Sequence, residues 1–390
     1  MFKNSITFKN KNIYKDDMQK IGLVSYQFWY NYGTCLQAYA LWKKIQMMGF
    51  ESEYINFGWH YPYHKVKVTL VSRISRFIKG ILGFDMVGRH LADNNSINNR
   101  LFEEFRKLYI HESLPIDIEN LSTTENQYSK YIVGSDQTWN PDCVEEKFFK
   151  IFLLSFVHEP EKKCAYAPSI GRNHVDDHCL EMYKQYLSEF NYISCRETSG
   201  CQILTKALDR NVLQVIDPTL LLNAKDWSEI ARNPINENGY ILCYILGSKT
   251  CICEFAKKLA KKENKKLYII SKNYIIFQKY HKYILCGVGP SEFVGLIKNC
   301  SCMVTDSFHG TIFSINFKKD FYTFHKRPGA SNVSDNSRIL DTLKQFGLEG
   351  RFREDADYSF DRHIEYDKIS LFLDKLRKES VSYLENVLKA

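Results

Sequence analysis

Residues 302–311 read Cys302-Met303-Val304-Thr305-Asp306-Ser307-Phe308-His309-Gly310-Thr311, and they are the clearest indication of the fold class. The first four residues predict a short buried strand, because they are apolar or β-branched and end at a polar turn. A helix is predicted directly after this turn, where Ser307 or Thr311 can cap its free N–H groups. A strand that leads through a tight turn into a helix is typical of an α/β fold.

The same order of apolar run, turn and helical pattern recurs outward from this stretch. Further strands are predicted at 21–25, 131–133, 192–195, 212–216, 240–246 and 267–271, and helices at about 33–48, 253–263 and 291–299. Such alternation predicts parallel sheets covered by helices. A polar stretch at 233–239 reads as a linker. We therefore expect an α/β protein with two Rossmann-like domains facing across a cleft.

The expected domains are 1–232 and 239–365. A last helix at 366–390 is expected to pack back on the first domain.

Composition limits the protein class. The chain has 390 residues, of which 44% are hydrophobic and 25% are charged, as in an ordinary globular protein. No stretch approaches the roughly 18 unbroken apolar residues of a membrane span. The polar N-terminus lacks the apolar core of a signal peptide. We therefore expect a cytoplasmic protein.

Charge and cysteine spacing limit the ligands. The net charge of +8 is modest for this length, and no dense run of Lys and Arg marks a nucleic-acid binder. A basic surplus also suits an anionic small molecule or an anionic lipid surface. Twelve cysteines are scattered along the chain, and the close pair Cys251 and Cys253 has no second pair with which to bind zinc. We expect no metal, no cofactor and no nucleic acid.

Residues 65–89 combine apolar and basic side chains. The apolar ones recur at helical spacing with basic ones between them: Ile74, Phe77, Ile78 and Ile81 alternate with Arg73, Arg76 and Lys79. One interpretation is a helix packed on the N-terminal domain. The other is a basic amphipathic helix that makes peripheral contact with the inner face of the membrane.

Ligands of open parallel sheets bind beyond the carboxyl ends of the strands, so the polar residues after the predicted strands are candidate site residues. His309 can act as an acid or base near neutral pH, or can merely satisfy hydrogen bonds in a capped helix. The helix start at Ser307, Gly310 and Thr311 offers free amides that favour a phosphate or carboxylate.

Two other strand ends carry candidates. Arg196 can bind a carboxylate or phosphate through paired N–H donors, or can form a structural ion pair with Glu197. Asp136 can act as a general acid or base, accept a sugar hydroxyl or cap a turn. Asp217, before Pro218, is expected to shape a turn rather than to take part in chemistry.

Two further groups of residues have open interpretations. The polar segment after Lys326, with Arg327 and Arg338, is either a lid or a solvated connection. Trp139 can stack on a sugar ring or lie in the core.

Several blocks occur in a fixed order between about residues 21 and 345. They are NYGTCLQAYAL at 31–41, VGSDQTWN at 133–140 followed by YAPS at 166–169, SCRE at 194–197, DPTLLL at 217–222, and GPSEF at 289–293 leading into VTDSFHGT at 304–311. Each block is weak alone. Together and in this order they resemble the polysaccharide pyruvyl transferase family.

The resemblance implies a two-domain fold like that of the GT-B glycosyltransferases. In it, 1–232 would be the acceptor-side domain, and 239–365 would contribute to the phosphoenolpyruvate site. It also implies an enzyme of bacterial capsular polysaccharide or exopolysaccharide biosynthesis that uses phosphoenolpyruvate. Its pyruvyl group would pass to two hydroxyls of a sugar, forming a cyclic ketal and releasing phosphate. The implied acceptor is a sugar in a glycan built on a lipid pyrophosphate carrier.

The resemblance also implies roles for residues. Arg196 would bind the donor's anionic groups, and His309 would bind its phosphate or act as the general acid. Many family members carry an arginine where this sequence has Ser307, so the missing cation has to come from elsewhere, and Arg338 and Arg327 are the candidates. Asp136 is the candidate base on the acceptor hydroxyl. The acceptor-side candidates are Asn31, Tyr32, Gln137 and Trp139.

Two other functions remain open from the sequence. The first is a GT-B-type glycosyltransferase with a nucleotide-sugar donor, because the helix start at 307–311 can equally hold a pyrophosphate. The second is a non-catalytic glycan-binding or assembly protein, and the absence of the family arginine at position 307 is the observation that supports it.

Overall fold

The computed structural model describes residues 20–57, 86–326, 337–355, 357–360 and 363–390. Arg327 and nearly all of the basic amphipathic segment at 65–89 therefore lie outside the described residues; of 86–89 only the backbone is described.

The first parallel sheet is formed by the N-terminal half. Its strands are β1 (Ile21–Val24), β2 (Ser52–Tyr54), β3 (Lys130–Val133) and β4 (Lys163–Ala165), in the order β2-β1-β3-β4. A short parallel pair, β5 (Ser194–Cys195) with β6 (Leu213–Gln214), follows, and a bridge between Cys164 and Tyr192 links β4 to the segment leading into it. Every residue of β1, β3 and β4 is buried, as expected for a sheet that helices cover on both faces.

The second parallel sheet is formed by the C-terminal half. Its strands are β7 (Ile241–Ile245), β8 (Leu267–Ser271), β9 (Cys302–Thr305), β10 (Asp320–Phe324) and β11 (Phe352–Arg353), in the order β11-β10-β9-β7-β8. In both sheets the strand order reverses beside the strand that comes first in the chain. The first sheet reverses between β1 and β3, and the second between β7 and β9.

Thirteen α-helices occur in the described part of the chain. They are α1 (Tyr32–Met47), α2 (Met86–Tyr109), α3 (Glu146–Phe152), α4 (Asp177–Leu187), α5 (Thr198–Leu208), α6 (Pro218–Leu221), α7 (Ala224–Ser228), α8 (Thr250–Lys262), α9 (Tyr274–Tyr280), α10 (Pro290–Asn299), α11 (Phe308–Asn316), α12 (Ser337–Phe346) and α13 (Tyr366–Lys389). None of these helices is long and apolar enough to span a membrane.

The two halves share one hydrophobic cluster. It contains Leu23 of the first sheet, Met303 of the second and Leu384 of α13. At its centre Tyr32 stacks on Phe293, with ring centroids 4.5 Å apart, so α1 of the N-terminal half packs directly on α10 of the C-terminal half.

The last helix contacts the N-terminal half through buried polar groups. The Tyr383 hydroxyl donates to the carbonyl of Ala165 at 2.8 Å, and the Ser380 hydroxyl accepts the N–H of Ile216 at 3.1 Å. These contacts hold the end of the chain against the first sheet and the segment after β6.

The α/β fold with two Rossmann-like halves, predicted from the sequence, is confirmed. The strands at 267–271 and 302–305 have the predicted bounds, and the other predicted strands lie within a few residues of theirs. β2, β4, β10 and β11 were not predicted. β2, β4 and β11 have only two or three residues each, too few to give a periodic pattern.

Candidate active site

The site lies where the strand order of each sheet reverses. In the first sheet this is between β1 and β3, and Ser135 and Asp136 follow β3 there. In the second it is between β7 and β9, and Asp306 follows β9. Such switch points open a crevice at the carboxyl ends of the strands, and here the two crevices meet.

Arg196, Asp217 and His309 form the centre of the site. Arg196 Nη1 donates to Asp217 Oδ2 at 2.7 Å, and His309 Nε2 lies 3.7 Å from the same oxygen. All three side chains are buried. Two of them come from the N-terminal half and His309 comes from the C-terminal half, so the site exists only when the halves are together.

Arg196 keeps part of its hydrogen-bonding capacity unused. Nη1 also donates to Ser135 Oγ at 3.4 Å, whereas Nε and Nη2 make no hydrogen bond to any residue that the structure describes. Burial alone lowers the pKa of Arg196, but Asp217, Glu197 and Asp136 outweigh burial and raise it. The guanidinium therefore stays charged and has donors left for an anion.

The ion pair between Arg196 and Glu197 is present but loose. Arg196 Nε lies 3.8 Å from Glu197 Oε2. The other oxygen of Glu197 accepts from the Ser169 hydroxyl and from the N–H groups of Ile170 and Gly171, at 2.8–3.0 Å. Glu197 therefore anchors the loop that follows β4, a role that its place in the sequence does not indicate.

Asp217 does more than the sequence predicted. Its Oδ1 accepts from the Thr219 N–H at 2.9 Å and caps α6, which is the predicted turn. Its Oδ2 holds Arg196 beside His309. Burial raises the pKa of this carboxyl, but His309, Arg196 and Thr219 together hold the pKa well below its usual range. The carboxylate therefore stays ionised between Arg196 and His309.

Gly33 makes room for His309. A Cβ atom on Gly33, in the first turn of α1, would lie 1.9 Å from His309 Nδ1. The imidazole therefore rests against the backbone of α1, and its Nε2 has no hydrogen-bond partner among the described residues.

Asp136 lies at the same crevice in a constrained conformation. Its φ is 70°, in the left-handed region. One carboxylate oxygen accepts from the Thr34 hydroxyl and the other from the N–H of Gln137. Burial raises its pKa, but His309, Arg196, the Thr34 hydroxyl and Arg338 outweigh it and lower the pKa. The carboxylate is ionised at neutral pH and also positions the start of α1.

Of the residues at the start of α11, Ser307 is the N-cap, and its hydroxyl accepts the N–H of Gly310 at 3.3 Å. Gly310 packs on β9, since a Cβ there would lie 2.7 Å from Thr305 Oγ1. Thr311 is fully buried and donates to the Ser307 carbonyl at 3.0 Å, so it is not the cap. Gly310 and Thr311 therefore offer no side chain to the cavity, and donor binding by this helix start stays a prediction that concerns its backbone N–H groups. The first N–H groups of α11, those of Phe308 and His309, have no acceptor within a helix.

Asp306 is a buried acid whose place in the site was not predicted. Its oxygens accept the N–H groups of Leu246 and Gly247 at 2.7 and 2.8 Å, which fixes the turn after β7. Burial raises the pKa of Asp306 to about 6, against the opposing effect of these two hydrogen bonds.

Arg338 lies on α12 beside the centre of the site. Its guanidinium carbon lies 5.6 Å from the centre of the Phe308 ring, and that of Arg196 lies 4.6 Å from it. Both arginines line a cavity of about 210 Å³ between the two halves. The structure therefore brings Arg338, a predicted donor ligand, to Arg196.

The four acceptor-side candidates are not equivalent. Trp139 is completely buried, and its indole N–H donates to the Phe152 carbonyl, so the prediction that it contacts an acceptor is wrong for this position. Tyr32 is likewise buried and donates to the Val288 carbonyl. Asn31, which caps α1, and Gln137 are half-buried near Asp136.

No group of three or more potential metal ligands occurs among residues 20–57, 86–326 or the described residues beyond them. All twelve cysteines are free thiols, and nine of them are buried.

Several solved structures are similar to this chain over most of its length but share little sequence with it. UDP-N-acetylglucosamine 2-epimerase from Rickettsia bellii is 12% identical, with a TM-score of 0.46 over 94% of this chain and 97% of that one. UDP-GlcNAc 2-epimerase from Methanocaldococcus jannaschii is 11% identical, with a TM-score of 0.45 over 92% of each chain. A wall teichoic acid polymerase is 9% identical, with a TM-score of 0.43 over 95% of this chain and 83% of that one.

The sequence has no significant match among curated proteins. Residues 31–324 match the family model "Polysaccharide pyruvyl transferase", which covers the segment from the start of α1 to the end of β10 and includes Arg196, Asp217 and His309. The chain therefore belongs to the polysaccharide pyruvyl transferase family.

Proposed function

We propose that the protein transfers the pyruvyl group of phosphoenolpyruvate to two hydroxyls of a sugar in a polysaccharide precursor, forming a cyclic ketal and releasing phosphate. The observation that carries the proposal is the buried group of Arg196, Asp217 and His309, which the two halves assemble together. A donor with a phosphate and a carboxylate needs several fixed cationic or amide donors. The unused N–H groups of Arg196 and the start of α11 are such donors.

Each polar residue has a place in this reaction. His309 lies at the start of α11, where it binds the phosphate as it leaves. Asp136 accepts a proton from the attacking sugar hydroxyl. Its lowered pKa makes it a weak base, so the hydroxyl loses its proton only as the bond to carbon forms.

Arg338 supplies the positive charge that an arginine in place of Ser307 would provide in many family members. It is buried, it lies against Phe308 with Arg196, and it faces the same cavity. The two guanidinium groups together can hold the two anionic groups of the donor.

The acceptor is proposed to be a glycan on a lipid pyrophosphate carrier at the inner face of the membrane. The lipid carrier is what the family resemblance implies, and the membrane contact rests on the charge pattern of residues 65–89. Replacing Ile74, Phe77, Ile78 and Ile81 by Ser should abolish binding to anionic vesicles, and unchanged binding would remove the membrane contact from the proposal.

The donor is tested by thermal unfolding with and without phosphoenolpyruvate. A ligand that binds only the folded state at about 100 times its dissociation constant adds roughly 2.7 kcal/mol. We expect this shift in the wild type and in the control His174→Ala, whose side chain is exposed. His309→Ala and Arg338→Gln should shift less.

The other two functions give different results in the same experiment. A shift with a nucleotide sugar and none with phosphoenolpyruvate would replace the proposal by a glycosyltransferase. No shift with either ligand, together with binding of a glycan, would indicate a non-catalytic protein.

A further inference from the structure

The cavity of about 210 Å³ beside Arg196 has an acidic residue that the proposed reaction has not yet used. Arg196 and Glu197 form one wall, Arg338 and Asp341 of α12 form another, and α13 closes it with Leu376, Glu379 and Ser380. A cavity of this size can hold a molecule with about ten non-hydrogen atoms, such as a phosphorylated three-carbon acid.

Asp341 lines this cavity, and one of its carboxylate oxygens has no hydrogen-bond partner among the described residues. It follows Arg338 by three residues on α12, so the two side chains lie on the same face of the helix. Its Oδ2 is buried and accepts no hydrogen bond from any residue that the structure describes. A buried carboxylate oxygen without a donor is costly when charged.

The surroundings of Asp341 favour its protonated form. Burial, and then the charge of Glu197, raise the pKa of Asp341, and Lys344 opposes them. The other charged groups that line the cavity are Arg196, Asp217, Arg338 and Glu379. Asp136 and Asp217 have lowered pKa values and are ionised. Of these three acids, Asp341 is the one whose pKa is raised rather than lowered.

The reaction needs such a proton at a particular carbon. The π electrons of the donor's carbon–carbon double bond must form a new C–H bond at the methylene carbon before the neighbouring carbon becomes electrophilic. A general acid positioned at that carbon contributes about 10²–10⁴-fold to the rate.

We propose that Asp341 is the acid that protonates the methylene carbon of phosphoenolpyruvate. This inference rests on the proposed function. The Asp341 O–H bond breaks, the methylene becomes a methyl group, and the adjacent carbon becomes an oxocarbenium ion that the first sugar hydroxyl attacks. Asp136 takes the proton of that hydroxyl and releases it to solvent, and solvent reprotonates Asp341. The second hydroxyl then displaces phosphate, and its proton leaves with the phosphate.

The test separates binding from protonation. Wild type, Asp341→Asn, Asp341→Glu and the control Asp177→Asn, an exposed residue on α4, are incubated with phosphoenolpyruvate and methyl β-galactoside in D2O. Proton NMR follows deuterium at the methylene or methyl carbon, and a phosphate assay follows release. Thermal unfolding with phosphoenolpyruvate reports binding.

We expect Asp341→Asn to lose at least about 100-fold in deuterium incorporation and phosphate release while its thermal shift with phosphoenolpyruvate is unchanged. Asp341→Glu should recover part of the rate with a displaced pH profile, and Asp177→Asn should equal the wild type. The assignment is overturned by an Asp341→Asn rate within threefold of wild type, by a loss of binding together with rate, or by bound donor that never exchanges in the wild type. A wild type that does not bind phosphoenolpyruvate contradicts the proposed function itself.

Discussion

Gly33 and His309 come from opposite halves of the molecule, and their contact leaves no space for a methyl group. In Gly33→Ala the new Cβ would lie 1.9 Å from His309 Nδ1, so either the imidazole or α1 must move. We expect a loss of about 1–3 kcal/mol in the free energy of unfolding and a smaller stabilisation by phosphoenolpyruvate. Gly350→Ala is the matched control, because a Cβ at Gly350 meets no atom within 4 Å. Equal free energies of unfolding for the two variants in urea would show that the close contact between Gly33 and His309 is not required.

Asp217 compensates the buried charge of Arg196. Removing one partner of a buried ion pair leaves the other charge uncompensated, so Asp217→Asn should lower the free energy of unfolding by about 3 kcal/mol at pH 7. The control Asp374→Asn removes an exposed partner of Arg377 and should cost less than about 1 kcal/mol.

The pH dependence of this effect has a defined sign. The pKa of Asp217 is lowered on folding, so its contribution is present above the unfolded pKa, near 4, and is lost as the pH falls below that value. The difference between wild type and Asp217→Asn should therefore shrink between pH 5 and pH 3. A constant difference over this range would contradict the pairing with Arg196.

The residues of this site were predictable to different degrees. Arg196, His309 and Asp136 lie just beyond the carboxyl ends of strands, and that position marked them as site candidates. Asp217 was taken for a turn residue because Asp before Pro commonly caps a turn; it does cap α6, and only the fold shows that its second oxygen reaches Arg196. Trp139 could not be assigned from the sequence, because a buried and an exposed tryptophan look alike there.

At the scale of elements, α13 is joined to the N-terminal half by a buried hydrogen bond. Tyr383→Phe removes one of the two donors to the Ala165 carbonyl, which keeps its hydrogen bond from the Ser194 hydroxyl. We expect a loss of about 1 kcal/mol in the free energy of unfolding, measured in urea. Tyr274→Phe, whose side chain is largely exposed, should have no measurable effect. A null result for Tyr383→Phe would mean that apolar packing alone holds α13.

Elements were predicted where their own pattern was long enough. β8 and β9 were found with the observed bounds because they are apolar runs between clear turns. β2 has only three residues and is defined by pairing with β1, at Ile21 with Ser52 and Leu23 with Tyr54. Such pairing depends on contacts across the fold and leaves little trace in a local pattern.

At the scale of the whole molecule, the halves are two sheets but share one hydrophobic cluster. Residues of β1, β9, α10 and α13 belong to it, and Tyr32 stacked on Phe293 lies at the contact between α1 and α10. Unfolding either half exposes apolar surface of the other, which couples their stabilities. We therefore expect a single calorimetric transition with a van't Hoff enthalpy close to the calorimetric enthalpy.

If the shared cluster couples the halves, removing its central contact should divide the single unfolding transition into two. Combining Tyr32→Ala with Phe293→Ala removes the stacked pair, and the two halves should then unfold in separate transitions. Phe255→Ala, in a second cluster confined to the C-terminal half, should lower the transition temperature without dividing the transition. Two transitions already in the wild type would show that the halves fold independently. In that case the site of Arg196, Asp217 and His309 would depend on the closing of the halves rather than on folding, and the stabilisation by phosphoenolpyruvate should appear in both transitions.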